Sequence, residues 1–257
     1  MILPLMLAST LALSASEVRR IPSADATQGV AADGSHVYAI ANHDISRIAL
    51  KDGREVARWS GDPTVFPHLN SCLAVRAELV CAGSNYPAVP MASRVERFDR
   101  RTLRHIATRV LPAGHGSLTW VLRHRGAWWA GFANYDGKGG EPGRDHRFTA
   151  LVRYDGQWRE TGEWRFPDAV LDRMAPRSAS GGAWGRDGLL YVTGHDRPEL
   201  YALRVPDDGG MLELVATITT PTDGQAIAWD PKAKRLLWSV ERSTHQLVAS
   251  KVPVVPR

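Results

Sequence analysis

SGGAWGRDGLLYVTGHDR, residues 180–197, decides the fold. It passes from small residues into a short apolar strand, turns at Asp187-Gly188, returns through LLYVT and leaves in a polar loop that carries His195. Two apolar strands joined by an Asp-Gly turn are a strong short-range signal of a β-hairpin. The pattern recurs at residues 28–44 (QGVAADGSHVYAIANHD), 70–87 (NSCLAVRAELVCAGSNYP), 117–136 (SLTWVLRHRGAWWAGFANYD) and 225–242 (QAIAWDPKAKRLLWSVER). Successive copies start 42, 47, 63 and 45 residues apart. The long offset contains an insertion, Asp136 to Arg147 (DGKGGEPGRDHR), rich in Gly and charge.

Each copy continues into an alternating strand: Ile45 to Leu50, Arg94 to Phe98, Thr149 to Tyr154, Glu199 to Val205 and Gln246 to Val252. Four copies add another, Glu55 to Trp59, His105 to Leu111, Glu160 to Phe166 and Leu212 to Ile218. No window carries a helical stripe, so the expectation is antiparallel β throughout. Four strands per repeat of about 45 residues is the blade of a β-propeller, here all-β with five blades. The fifth copy ends before its outermost strand, and Glu17 to Ile21 (EVRRI) has the length to supply it. That arrangement closes the last blade and removes an open edge. Trp120, Trp184 and Trp229 hold one position of the first strand in three copies, which predicts packing between blades.

Composition excludes other classes. With 257 residues, 44% apolar and 23% charged, the chain is neither disordered nor fibrous. The formal charge of +5 comes from 27 Arg and five Lys spread over the sequence, without a nucleic-acid-binding motif, so no nucleic-acid partner is expected. Residues 1–16 (MILPLMLASTLALSAS) have the apolar run and small-residue end of a signal peptide, leaving 17–257 as a single propeller domain. The expected location is exported, periplasmic or extracellular, as a monomer with no membrane association after cleavage, because no later segment is long enough to span. A two-residue turn at Arg76 and Ala77 sets Cys72 opposite Cys81, and an exported protein meets an oxidant able to join them.

No HExxH, GxSxG or Walker A sequence is present. In a propeller, however, the loop entering each innermost strand and the loop between second and third strands open on the same end of the axis. Those loops carry Asp25, Gln28, Asn42, His43, His68, Asn70, Ser84, His115, Ser178, Ser180, Asp223, Gln225 and Arg242 among others. His68, His115 and His195 are the candidate proton carriers, since imidazole titrates near neutral pH. Asn70, Asn85, Tyr86, Asn134, Tyr135, Asp136, Asp196, Arg197 and Gln225 are the candidate ligand contacts. Imidazole and carboxylate together also suit a divalent metal ion.

The phrases Pro67-His68-Leu69-Asn70, Ser84-Asn85-Tyr86-Pro87, Phe132-Ala133-Asn134-Tyr135-Asp136 and Gly194-His195-Asp196-Arg197-Pro198-Glu199-Leu200, with the Gly-rich insertion, carry a resemblance. They resemble a group of bacterial exported propeller proteins, some of which are called cycloisomerases, over nearly the whole chain after the leader. More loosely, the chain is similar to propeller lactonases of the gluconolactonase class, whose metal is held at the channel mouth by acidic and Asn side chains. That likeness implies Glu241, Asn134 and Asn85 as metal ligands. The expected function is binding of, or action on, a small polar, sugar-derived ligand at the channel mouth, as a lactone or ester hydrolase or a cycloisomerase. The competing expectation is a non-catalytic module that holds a glycan, a peptide or a partner protein.

Overall fold

The computed structural model describes residues 12–256. Its strands form five sheets set around an axis as a five-bladed β-propeller. From axis to rim, blade one is Gly29–Ala32, His36–Ile40, Asp44–Ala49 and Glu55–Ser60. Blade two is His68–Val75, Glu78–Ser84, Ser93–Asp99 and His105–Val110; blade three is Ser117–His124, Ala127–Ala133, Ala150–Tyr154 and Glu160–Arg165. Blade four is Gly181–Trp184, Leu190–Thr193, Glu199–Arg204 and Glu213–Thr219. Blade five is Ile227–Trp229, Leu236–Glu241 and Gln246–Lys251, completed by the N-terminal strand Ser16–Pro22. Thus the segment read as the missing outer strand pairs antiparallel with Gln246–Lys251, Ile21 opposite Leu247.

Burial follows position in the blade. Inner strands such as Gly29–Ala32 are buried throughout, whereas rim strands such as Glu55–Ser60 are largely exposed. Between the blades lie the apolar clusters, and the repeat tryptophans sit there. The Trp120 ring is fully buried against Gly182 of blade four, Trp184 stacks on His124 of blade three at 4.0 Å, and Trp229 meets Tyr191 of blade four edge-on at 5.1 Å.

Cys72 and Cys81 pair across the blade-two hairpin with Cα atoms 3.9 Å apart and form a disulfide. Arg76, in the turn, takes a φ of +52°, as tight hairpin turns require. The bridge closes a short loop, so replacing both cysteines by alanine is expected to lower the unfolding free energy by about 2–3 kcal/mol. Urea denaturation of the oxidised protein and the double variant measures this; a difference under about 0.5 kcal/mol would contradict it.

Two features depart from the antiparallel reading. A helix, Asp168–Met174, joins blades three and four, burying Val170, Leu171 and Met174. It begins after Pro167, carries Asp168 in its first turn and stops before Pro176, which cannot continue a helix. With the insertion 136–147 it accounts for the long repeat offset. The second departure is a pair of short parallel additions at rim edges: Gly210–Met211 beside Trp164 and Arg165 in blade three, and Leu13–Ser14 beside Ile218 and Thr219 in blade four. Residues 1–11 of the expected leader lie outside the described residues. Its last residues are engaged: the Ala15 N–H donates to the Thr219 carbonyl at 2.8 Å, and Ala15 is buried.

Candidate functional site

At the end where the blade-entry loops open, a cavity of about 400 Å³ lies on the axis. Every blade contributes to it. Gln28 comes from blade one, His68, Asn70 and Tyr86 from blade two, Thr119 and Tyr135 to Lys138 from blade three, Ser180 and His195 from blade four, and Gln225 and Arg242 from blade five. Pro176 and Arg177, just after the helix, complete the wall.

The two insertions meet here. The Asp136 N–H donates to the Pro176 carbonyl at 3.1 Å, so the Gly-rich segment and the helix together raise one side of the mouth. Gly139, at φ +82°, lies so close to Tyr86 that a Cβ there would stand 2.4 Å from the ring. Tyr86 in turn lies 5.1 Å from the His68 ring and 5.2 Å from Tyr135, ring centre to ring centre. These three rings form an aromatic wall of the cavity, whose lining also includes the cations Lys138, Arg177 and Arg242.

His68 is the base of this wall. Burial lowers its pKa, a contact with Asn70 opposes that, and the nearby Arg242 charge lowers it further, to about 4. At neutral pH the imidazole is therefore uncharged, and one of its ring nitrogens carries a lone pair. Among the described residues it has no carboxylate within 4.0 Å, unlike His36, His43, His105, His115, His146 and His195. Tyr135 is likewise desolvated, and its hydroxyl is pushed up to about 12.

His195 has a different environment. Its Nδ1–H donates to Asp196 Oδ1 at 2.5 Å, which leaves Nε2 as an acceptor. Arg177 Nη1 donates to that nitrogen at 2.7 Å and Arg242 Nη1 at 2.9 Å. Burial lowers the His195 pKa, Asp196 opposes, and the Arg177 charge lowers it again. A neutral ring with both nitrogens engaged is poorly placed to exchange a proton.

The remaining predicted residues divide. His68, Asn70, Tyr86, Tyr135, Asp136, His195 and Gln225 line the cavity, and Asp196 supports it through His195. His115 does not line it: its Nε2 lies 3.0 Å from Glu160 on the rim strand, and its ring packs against Phe132. Exposed Arg197 only accepts, through its carbonyl, the Glu199 N–H. His43 is half-exposed beside Asp44 at 3.8 Å. Residues that the sequence reading did not name as contacts, Thr119, Lys138, Arg177 and Arg242, line the cavity.

Glu241, Asn134 and Asn85 do not fit a metal. Asn134 Nδ2 donates to the His115 and Phe148 carbonyls, while its Oδ1 accepts from Arg144. Asn85 donates to Pro90 and accepts from Ala92, bracing its own loop. Glu241 accepts from Ser243. None of the three lines the cavity. Among the described residues, the group with metal-type ligands is Asp136, Asp145 and His146, whose donor atoms lie within 4.8 Å of one another. His146 donates to Asp136 from both its backbone N–H and Nδ1, and these bonds outweigh burial in lowering the Asp136 pKa.

A larger hollow of about 740 Å³ opens on the other end, between blades three and four. There Arg153 covers the Trp129 and Trp164 rings, and Asp187 pairs with Arg235. His124 lines it with its ring stacked on Trp184, and the lining comes from blades three and four and residues 255–256 alone, so the axial cavity, to which every blade contributes, is the candidate site.

No protein family matches the chain, and no curated protein matches it. Solved structures do. The PQQ-bound aldose sugar dehydrogenase of Streptomyces coelicolor is 16% identical, with a TM-score of 0.55 over 88% of this chain and 77% of that one. Virginiamycin B lyase of Staphylococcus aureus is 12% identical, with a TM-score of 0.51 over 91% and 99%. Kuenenia stuttgartiensis hydrazine synthase is 12% identical, with a TM-score of 0.51 over 89% and 84%. At these identities the likeness is one of fold.

Proposed function

We propose that this propeller takes a small polar, sugar-derived ligand into its axial cavity and opens or closes a lactone ring in it. The observation that carries the reading is His68, a half-buried, neutral imidazole without a carboxylate partner among the described residues, lining a cavity to which all five blades contribute polar groups. Ring opening by elimination takes a proton from carbon, forms a C=C bond and releases the ring oxygen as a carboxylate; closure reverses this. The step needs no oxidant. His68 is the proton carrier, the arginines meet the negative charge that develops, and the tyrosine wall packs against the ligand.

The Cys72–Cys81 disulfide supports an oxidising compartment, periplasmic or extracellular, and no helix among the described residues is long and apolar enough to cross a membrane. The protein acts as a monomer. One observation favours the non-catalytic alternative: the second cavity histidine, His195, already has both ring nitrogens engaged.

The test is a panel of sugar lactones and unsaturated sugar acids, followed by NMR for binding and turnover. Wild type is expected to convert at least one member, and His68→Asn to bind it but convert it at least about 100-fold more slowly. The sign of the pH dependence is specific. His68 must be uncharged, so activity is full above its pKa and falls as pH drops through about 4, not through the ordinary histidine value. Binding without turnover replaces catalysis by capture. Turnover that survives in His68→Asn removes the assigned proton carrier.

A further inference from the structure

The mouth contains an electrostatic arrangement that only a missing partner completes. Arg177 and Arg242 come from elements far apart in sequence, yet both guanidiniums point at one uncharged nitrogen, His195 Nε2. Among the described residues Arg242 has no carboxylate within 4.0 Å, and Arg177 has only the half-exposed Asp196, at 3.4 Å. Two like charges converging on a neutral acceptor repel each other, and the fold holds them there. Lys138 adds a third cation to the same wall. Against these stand Asp136, tied to His146, and Asp196, tied to His195, which leaves one positive charge in excess.

A second observation is independent of the arginines. Gln225 is 4% exposed, lines the same cavity, and its Nε2 is buried without a hydrogen-bond partner. A buried amide donor left unpaired is costly unless a ligand oxygen completes it. The cavity thus offers two forked cationic donors, an amide donor and a single excess positive charge. A planar carboxylate matches a guanidinium fork in two parallel hydrogen bonds, and a monoanion matches the charge.

We propose that Arg177 and Arg242 clamp a carboxylate carried by the ligand, which takes the place of His195 Nε2, with Gln225 donating to a ligand oxygen. His195, oriented by Asp196, is a positioning residue that keeps the two guanidiniums aimed inward while the site awaits its ligand. The inference rests on the reading of the axial cavity as the ligand site and names the ligand class, a small monocarboxylate such as a sugar acid.

The test uses the full folded chain and thermal unfolding with D-gluconate, D-galacturonate, acetate, D-glucose, D-galactose and inorganic phosphate, each up to 50 mM as about the upper end of weak affinity. At least one sugar acid is expected to raise the wild-type Tm more than the uncharged sugars and phosphate do. Arg242→Gln and Arg177→Gln are expected to weaken its binding about tenfold or more each. A merely structural role is separated by the ligand-free proteins: a clamp under repulsion gives Arg242→Gln an unchanged or higher Tm, whereas a structural brace gives a lower one. Equal responses to acids and uncharged sugars, or equal responses of wild type and both variants, overturn the clamp. If D-glucose or D-galactose shifts wild type but not Tyr86→Ala, the cavity reading stands without it. If nothing on the panel shifts wild type, both are rejected.

Discussion

Trp120→Ala is expected to lower the unfolding free energy by about 4 kcal/mol, the range found for emptying a large aromatic site in a core. Three facts set that size. The side chain is fully buried, in the innermost strand of blade three. Its ring fills the space above Gly131 of the adjacent strand, where a Cβ would stand 2.0 Å from Cε2, and above Gly182 of the next blade, where it would stand 2.8 Å away. Neither glycine has a side chain with which to refill the gap, so collapse around the cavity is limited. The indole Nε1 has no partner, so the expected loss is one of packing, with no hydrogen bond lost beside it. Urea denaturation with an unchanged m-value would show the effect, and a loss below about 1 kcal/mol would mean that blades three and four close up around the void.

Gly29→Ala is expected to cost about 3 kcal/mol or more, at the upper end for overpacking. A Cβ at Gly29 would stand 2.2 Å from the Asn70 carbonyl oxygen and 3.0 Å from Ser71 Cα. Both atoms are backbone of the blade-two inner strand, and neither can rotate aside as a side chain would. Gly181 meets the blade-five backbone in the same way, 2.5 Å from the Gln225 carbonyl oxygen. The inner strands approach through glycine, and adding a methyl group forces whole sheets apart. Because Gln28 and Asn70 line the cavity on either side of this contact, ligand binding should fall with stability. Gly156→Ala is the control: nothing lies within 4 Å of its Cβ position, and its expected effect is below about 1 kcal/mol. Similar losses for the two variants would contradict the steric argument.

The residues that could be read from sequence and those that could not differ for physical reasons. Strand pairing is local and periodic, so the hairpin turn at Arg76 placed Cys72 opposite Cys81, and the bridge is there. The unmatched end of the last repeat likewise pointed to its N-terminal completion. The helix Asp168–Met174 gave no such signal, because seven residues with three buried side chains, bounded by Pro167 and Pro176, are too short for a periodic stripe. Missing it also hid Arg177, which it delivers to the mouth. Topology located the mouth loops, and with them His68, Asn70, His195 and Gln225, but not the direction of each side chain. His115 turns outward to Glu160, and the amides of Asn85 and Asn134 are engaged by backbone groups of their own loops and neighbours. Such local capture is common for Asn and cannot be inferred from spacing.

The pairing of Ser16 with Lys251 and of Pro22 with Gln246 has a consequence for how the chain acquires its structure. Synthesised N-terminus first, this strand is among the earliest described segments made and must wait for Gln246–Lys251, more than 220 residues on, before it finds its neighbour. The delay costs little equilibrium free energy, because closure entropy grows only slowly with chain length, but such distant pairing makes the rate slow. The waiting segment, SEVRRIP, carries Glu17, Arg19 and Arg20 and ends in Pro22, features that discourage pairing with a foreign chain in the interval. Until Gln246–Lys251 is in place the sheets form an open series, and the pairing with Ser16–Pro22 is the contact that closes the ring.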